Sequence, residues 1–120
     1  SANRGGLYQT EDSVSASFQF HDGLPGSGSW CFVCDESART DRIELIGDKG
    51  QICFSVFTYD PIALHNKDGR TEIHIDNPKH VQMPLIESVV RHLQGKEACT
   101  ADNLSATSVN WVMDRILGKI

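Results

Sequence analysis

The spacing of apolar residues changes once along this chain, and that change limits the folds available to it. Up to about residue 76 apolar and polar side chains tend to alternate, as they do over residues 14–20. An alternation of period two is typical of β-strands with one buried face. From residue 81 onward the apolar residues recur every three or four positions, as in amphipathic helices. Strands followed by helices predict an α+β fold.

The same pattern predicts where the elements lie. Turn-forming pairs such as Asp68-Gly69 separate short segments, so neighbouring strands are expected to be antiparallel. Asp102 or Asn103 is a candidate N-cap of the second helix and Asn77 or Lys79 of the first, while Gly95 and Gly118 are placed to end them. The predicted strands cover residues 14–20, 29–34, 42–46, 51–57, 61–65 and 70–76, and the predicted helices cover residues 81–93 and 102–117. We expect a single domain over residues 1–120, with a largely antiparallel open sheet of about six strands and two C-terminal helices packed on one face.

Composition excludes several classes of partner. The 120 residues carry a net charge of -5, so no basic surface attracts nucleic acid or anionic membranes. Apolar runs are too short to span a bilayer, and residues 1–10 lack the apolar core of a signal peptide. Because the sequence opens on Ser1 rather than Met, we expect a processed product or a piece of a longer protein.

Four cysteines raise the question of metal or redox chemistry. Cys31 and Cys34 have the C-x-x-C spacing, but residues 30–34 are predicted to form a buried strand. Residues three apart in a strand point to opposite faces, so the two sulfurs should diverge. We therefore expect small buried thiols, with a zinc or thiol-redox site as the alternative. Because nothing marks a disulfide framework, a cytoplasmic location is favoured.

Apolar residues on both faces of two strands point to self-association. Trp30 and Phe32 lie on one predicted face of the second strand, while Cys53 and Phe57 share a face of the fourth. Two helices cover one side of a sheet, so the other side needs a partner. We expect a homo-oligomer formed through the open sheet face, with cover by loops as the alternative.

No constellation for catalysis is apparent in the sequence. Residues 23–28 are glycine-rich but join two strands, whereas a phosphate loop must precede a helix. His74 and Asp76 share a strand face, yet a metal site needs further ligands. His80, just before the first helix, is predicted to be a hydrogen-bonding cap, with a substrate contact as the alternative. We predict no catalytic, cofactor-binding or metal-binding residue within this chain.

The order of three segments resembles the C-terminal domain of the Gfo/Idh/MocA family of oxidoreductases. These segments are the I-G-x-K-G hairpin at residues 46–50, the N-P-x-H-V-Q-x-P-L-I run at residues 77–86 and the closing V-M-D-x-I-L-G at residues 112–118. The resemblance covers about residues 12–119. It implies a parent enzyme in which a Rossmann domain binds NAD or NADP and this domain contributes part of the substrate pocket and the oligomer interface.

Departures from the family pattern limit what the resemblance implies here. The chain lacks the G-x-G-x-x-G fingerprint, the Glu-Lys-Pro motif and the Asp-x-x-x-His type motif. The resemblance therefore implies a domain that does not turn over alone, within an enzyme acting on a sugar or cyclitol hydroxyl. The alternative is a stand-alone module that binds a protein or a carbohydrate, with Trp30, Phe32, Phe54 and Phe57 as contacts.

Overall fold

Six strands precede two helices in the computed structural model, which describes residues 1–120. The elements are β1 (Ser13–Gln19), β2 (Pro25–Cys31), β3 (Ile43–Gly47), β4 (Gly50–Phe54), β5 (Ile62–Asn66), β6 (Gly69–Ile73), α1 (Met83–Leu93) and α2 (Asn103–Ile116). All strand pairs are antiparallel. The predicted α+β class with an open antiparallel sheet is confirmed.

The strands form two sheets rather than one. β1 pairs with β2, whereas β3, β4, β5 and β6 form a four-stranded meander in chain order. Between β2 and β3 the chain forms a single 3-10 turn at Glu36–Ala38. The chain divides into two compact units, one made of Ser1–Ala38 with Cys99–Ile120 and the other of Arg39–Ala98.

The β1–β2 hairpin corrects the predicted second strand. β2 begins at Pro25, opposite Gln19, and ends at Cys31, opposite Ser13. Residues 25–28 of the glycine-rich stretch therefore belong to a strand, because each of them pairs with a residue of β1. The chain then bends through residues 32–34, so the prediction of a buried strand over residues 30–34 was wrong.

The four-stranded sheet is built from two tight hairpins with an open connection between them. The β3–β4 turn closes at Gly47 opposite Gly50, and the β5–β6 turn closes at Asn66 opposite Gly69. Gly50 and Gly69 have positive φ angles of 150° and 120°, which L-residues rarely adopt. The turn predicted at Asp68-Gly69 is therefore present, between β5 and β6.

Helix ends follow local chemistry with one exception. Asp102 caps α2, its carboxylate accepting a hydrogen bond from the Ser105 N–H at 2.9 Å. Gly95 and Gly118 follow the two helices with positive φ, as predicted. The predicted caps of α1 were wrong, because that helix begins after Gln82, with Pro84 in its first turn.

Little of the apolar surface is buried within either unit. The buried apolar residues are Ala63 and Cys99, and the buried polar residue is Asp12. Neither helix buries a residue, although α1 is strongly amphipathic, with Leu85 and Leu93 among its exposed side chains. Neither helix has the length and apolar character needed to cross a bilayer.

Candidate functional site

The four-stranded sheet has one polar face. Its central cross-strand row runs from Glu44 through Cys53 and Ala63 to Glu72. Glu44 pairs with Arg42 and also accepts a hydrogen bond from the Gln51 side chain at 2.8 Å. The hydrogen bond to Glu44 raises the pKa of Arg42 above its usual value. Glu44, Gln51 and Glu72 make this the more polar face, although Ala63 at its centre is buried.

The opposite face of the same sheet is apolar. The row of Leu45, Ile52, Leu64 and Thr71 crosses all four strands at its centre. Beside this row Ile43 lies opposite Phe54, and Ile62 lies opposite Ile73. Leu45 is 56% exposed and Ile73 is 47% exposed, so much of this face is open even though Phe54 and Ile62 are half-buried. A contiguous apolar sheet face of this kind marks a surface that packs against something else.

The β1–β2 hairpin is two-faced as well. One face carries cross-strand serine pairs, among them Ser15 and Ser29 with hydroxyl oxygens 3.3 Å apart. The other face carries Phe18 and Trp30, whose rings lie over glycines. A Cβ added to Gly28 would stand 2.5 Å from the Trp30 ring, and one added to Gly26 would stand 2.5 Å from the Phe18 ring. The glycines of β2 thus make room for an apolar aromatic surface.

The four predicted interface residues lie in different units. Trp30 is on the apolar face of the hairpin, and Phe32 follows it in the bend and is 73% exposed. Cys53 belongs to the polar sheet face, in the row of Glu44. Phe57 lies beyond the end of β4 and is 84% exposed. The expectation that β4 is apolar on both faces was wrong, because the strand ends at Phe54, before Val56 and Phe57.

A cavity of about 240 Å³ lies within the Arg39–Ala98 unit. It is somewhat smaller than the roughly 300–1,000 Å³ typical of small-molecule pockets. Apolar side chains and a few polar groups share its wall. The lining residues are Phe54, Ser55, Val56, Thr58, Tyr59, Asp60, Ile62, Ile73, Ile75, Asn77 and Val81. A wider hollow of about 570 Å³ beside the β1–β2 turn is lined by Phe20, His21, Asp22 and Leu24.

One wall of the 240 Å³ cavity is held in shape by hydrogen bonds. The Asp41 carboxylate accepts from the N–H groups of Val56 and Phe57, at 2.7 and 2.5 Å. The Thr58 hydroxyl donates to the Asp60 carboxylate, and its oxygen lies 2.5 Å from the Ser55 hydroxyl oxygen. These contacts fix the loop that follows β4, and Asp60 of this loop is one of the residues that line the cavity.

The N-P-x-H run borders this cavity. Asn77 and Val81 line it, whereas His80 between them is exposed and is not part of the wall. The His80 carbonyl accepts a hydrogen bond from the Met83 N–H at 3.0 Å, which supports the first turn of α1. Sequence reasoning missed the loop of residues 55–60. The sequence feature that could have pointed to this loop is its several hydroxyl and carboxylate side chains directly after a strand.

The groups at the candidate site are hydroxyls, carboxylates and apolar side chains. No three His, Cys, Asp or Glu side chains converge to hold a metal ion. Neither helix N-terminus fits a dinucleotide pyrophosphate. The connection before α1 contains no glycine, and at α2 the Asp102 carboxylate already accepts the Ser105 N–H. The cavity combines apolar walls with the hydroxyls of Ser55 and Tyr59 and the carboxylate of Asp60.

Comparison with known proteins adds an evolutionary relationship. A protein named Oxidoreductase P35, from Formosa agariphila, is 32% identical to this chain over 110 residues. The chain is similar to part of an oxidoreductase. The match takes in 91% of the chain and 33% of the relative, so the chain spans about a third of the relative's length. No protein-family model matches the chain, and no solved structure does.

Proposed function

We propose that this chain is the C-terminal domain of an NAD(P)-dependent oxidoreductase of the Gfo/Idh/MocA type, acting on a sugar or cyclitol hydroxyl. The observation that carries the proposal is the similarity of nearly the whole chain to one third of a protein named an oxidoreductase. That proportion leaves the rest of the enzyme to bind the nicotinamide cofactor and to supply the acid/base group. The four free cysteines favour a reducing compartment, and we place the enzyme in the cytoplasm.

In this enzyme the 240 Å³ cavity contributes part of the substrate site. The Asp60 carboxylate and the Asn77 amide line it and are suited to hydrogen-bond substrate hydroxyls. Ile62 and Ile73 supply an apolar wall for the carbon skeleton. His80 stands next to the wall, and we propose that it comes near the substrate in the assembled enzyme. The cavity orients a polyol, while the chemical step takes place outside this chain.

The uncovered apolar surfaces form the assembly interface of the proposed enzyme. The chain exposes 10407 Å². Two globules of half its mass expose about 7,800 Å² together, so the excess is roughly 2,600 Å². An excess of roughly 2,600 Å² of exposed surface is comparable with the surface that a protomer buries in an obligate assembly. We propose that a second copy of the chain packs on the apolar sheet face and that Trp30 and Phe32 belong to a separate contact surface on the hairpin unit.

The experiment compares the chain with the complete polypeptide that contains it in the source cells. An antibody against the chain should detect a band about three times as large. That polypeptide, once purified, should reduce NAD or NADP with a member of a panel of sugars and cyclitols. The chain alone should form no NADH and should not quench NADH fluorescence. A native band at the size of the chain, or tight NADH binding by the chain itself, would contradict the proposal.

A second candidate is a stand-alone carbohydrate-binding module. The exposure of Phe32 and Phe57 favours it, because aromatic rings stack on sugar faces. Trp30 fluorescence distinguishes the two functions. An oligomer whose Trp fluorescence changes on dissociation supports the oxidoreductase domain, whereas a stable monomer whose fluorescence responds to sugars supports the binding module.

A further inference from the structure

The C-x-x-C motif at the end of β2 is arranged differently from the strand that its sequence predicts. The strand ends at Cys31, and residues 32–34 form a bend. The bend turns Cys34 back toward Cys31, so that the Cys34 sulfur lies 3.6 Å from the Cys31 carbonyl oxygen. Two sulfurs three residues apart diverge only along extended backbone, and here the extended backbone ends at Cys31.

The surroundings of the Cys31 sulfur stabilise its thiolate. The pKa of Cys31 is lowered, first by a hydrogen bond from the Val33 N–H and then by hydrogen bonds with the Ser13 hydroxyl and the Cys34 thiol. The Ser13 oxygen is 3.8 Å from the Cys31 sulfur, directly across the hairpin. The negative charge of Asp12 opposes these donors more weakly. A thiolate held by neighbouring donors is the form that attacks disulfides.

Both sulfurs of the motif are accessible to small molecules. Cys31 and Cys34 are exposed, whereas Cys53 is half-buried and Cys99 is buried. Cys31 lies on the serine face of the hairpin, and Trp30 lies on the opposite face. A partner seated on the apolar face would therefore leave Cys31 open to solvent.

We propose that Cys31 and Cys34 form a dithiol site that exchanges with low-molecular-weight disulfides such as oxidised glutathione. The Cys31 thiolate attacks one sulfur of the disulfide and expels the other as a thiolate, leaving a mixed disulfide on Cys31. The Cys34 thiolate then attacks the Cys31 sulfur and expels the second small thiolate. The protein loses two electrons, the small disulfide gains them, and the two cysteine protons pass to the leaving thiolates. This site is independent of the proposed oxidoreductase function.

The first test treats the reduced chain with oxidised glutathione and measures thiols and mass. We expect two of the four thiols to be lost together with two hydrogens, and peptide mapping to place the new bond between Cys31 and Cys34. Excess reductant should restore both thiols. Retention of both thiols under these conditions, or a bond that involves Cys53 or Cys99 instead, would overturn the proposal.

Single substitutions test the two roles. Cys34→Ser removes the resolving thiol, so glutathione should accumulate as a stable mixed disulfide on Cys31. Cys31→Ser should suppress glutathione uptake at Cys34, and the matched control Cys53→Ser should behave as the unsubstituted chain. Equal uptake by the two motif variants would show that Cys31 has no special reactivity. If a variant does not fold, the relative rates of alkylation in the unsubstituted chain decide, with Cys31 expected to react before Cys34.

Discussion

Asp12 joins the first residues of the chain to the β1–β2 hairpin. Its carboxylate accepts hydrogen bonds from the N–H groups of Arg4 and Gly5, each at 2.8 Å, and from the Ser13 hydroxyl at 3.1 Å. Its backbone N–H donates to the Ala2 carbonyl at 3.1 Å. The side chain is completely covered by these neighbours. A single carboxylate thus satisfies several backbone donors that no regular element provides for.

These contacts predict how stability depends on pH. The pKa of Asp12 is lowered below 3.8, chiefly by the hydrogen bond from the Arg4 N–H. A carboxyl group whose folded pKa is depressed stabilises the fold above its unfolded pKa and loses that contribution as pH falls through the folded value. Thermal unfolding followed by Trp fluorescence should therefore show stability declining below about pH 4. Asp12→Asn should lower stability at pH 7 and flatten the dependence at low pH.

A control variant distinguishes the contribution of Asp12 to the pH dependence of stability from the contributions of other acidic residues. Asp35 and Asp102 also have lowered pKa values, from hydrogen bonds with Ser37 and Ser105 respectively, so some decline remains in Asp12→Asn. Asp48→Asn, in the exposed β3–β4 turn, is the matched control and should leave stability at pH 7 unchanged. Identical curves for Asp12→Asn and the unsubstituted chain would show that the carboxylate does not hold the N-terminal segment.

At the scale of elements, backbone geometry at turns decides whether the strands pair. Gly50 opens β4 with a φ of 150°, opposite Asn66. A Cβ built on Gly50 would collide with the His65 carbonyl oxygen and stand 3.1 Å from the Asn66 Cβ. Gly47, at the other end of the turn, has ordinary φ, and its nearest neighbour to an added Cβ is 3.7 Å away. Gly50 is therefore required by its backbone conformation and by the close approach of the β5 backbone, whereas Gly47 is not required for either reason.

We expect Gly50→Ala to destabilise the chain by roughly 2 kcal/mol or more, because φ strain and a backbone clash act together. Gly47→Ala is the matched control and should change stability by less than about 0.5 kcal/mol, since it adds ordinary contacts on an exposed turn. Urea unfolding monitored by circular dichroism measures both. Equal midpoints for the two variants would mean that the turn relaxes without disturbing the β4–β5 ladder.

At the scale of the whole molecule, the chain leaves apolar faces without cover. The apolar sheet face, α1 and the aromatic face of the hairpin are each exposed. Burial of apolar area is the main stabilising contribution in small domains. The chain is therefore expected to need assembly, with itself or with the remainder of an enzyme, for most of its stability.

Neighbouring substitutions on opposite faces of β4 test this expectation. Ile52→Lys places a charge on the apolar face and should convert an oligomer into monomers. Gln51→Lys adds the same charge to the polar face, next to Glu44, and should leave the assembly intact. Cys53→Lys tests the residue that the sequence pattern selected, and because Cys53 lies opposite Glu44 on the other face we expect little effect on assembly. Sedimentation velocity gives the molecular mass, and an oligomeric Ile52→Lys chain would exclude the apolar face as the interface.

Sequence alone determined the features that depend on neighbours a few residues apart. These are the α+β class, the hairpin turns at Gly50 and Gly69, the cap at Asp102 and the glycines that follow both helices. Each follows from local periodicity, φ preference or side-chain capping, which a short segment specifies by itself. The C-terminal assignment, the family and the interface residues remain predictions.

Tertiary structure decided what depends on distant pairing. The division into two sheets, the polar position of Cys53 and the bend at Cys31 follow from which backbone groups find partners across the chain. β2 reaches back to Pro25 because β1 supplies acceptors and donors there, and it stops at Cys31 because β1 begins at Ser13. A strand's length and the face it presents are set by its partner's register, so a one-residue difference moves a side chain to the other face.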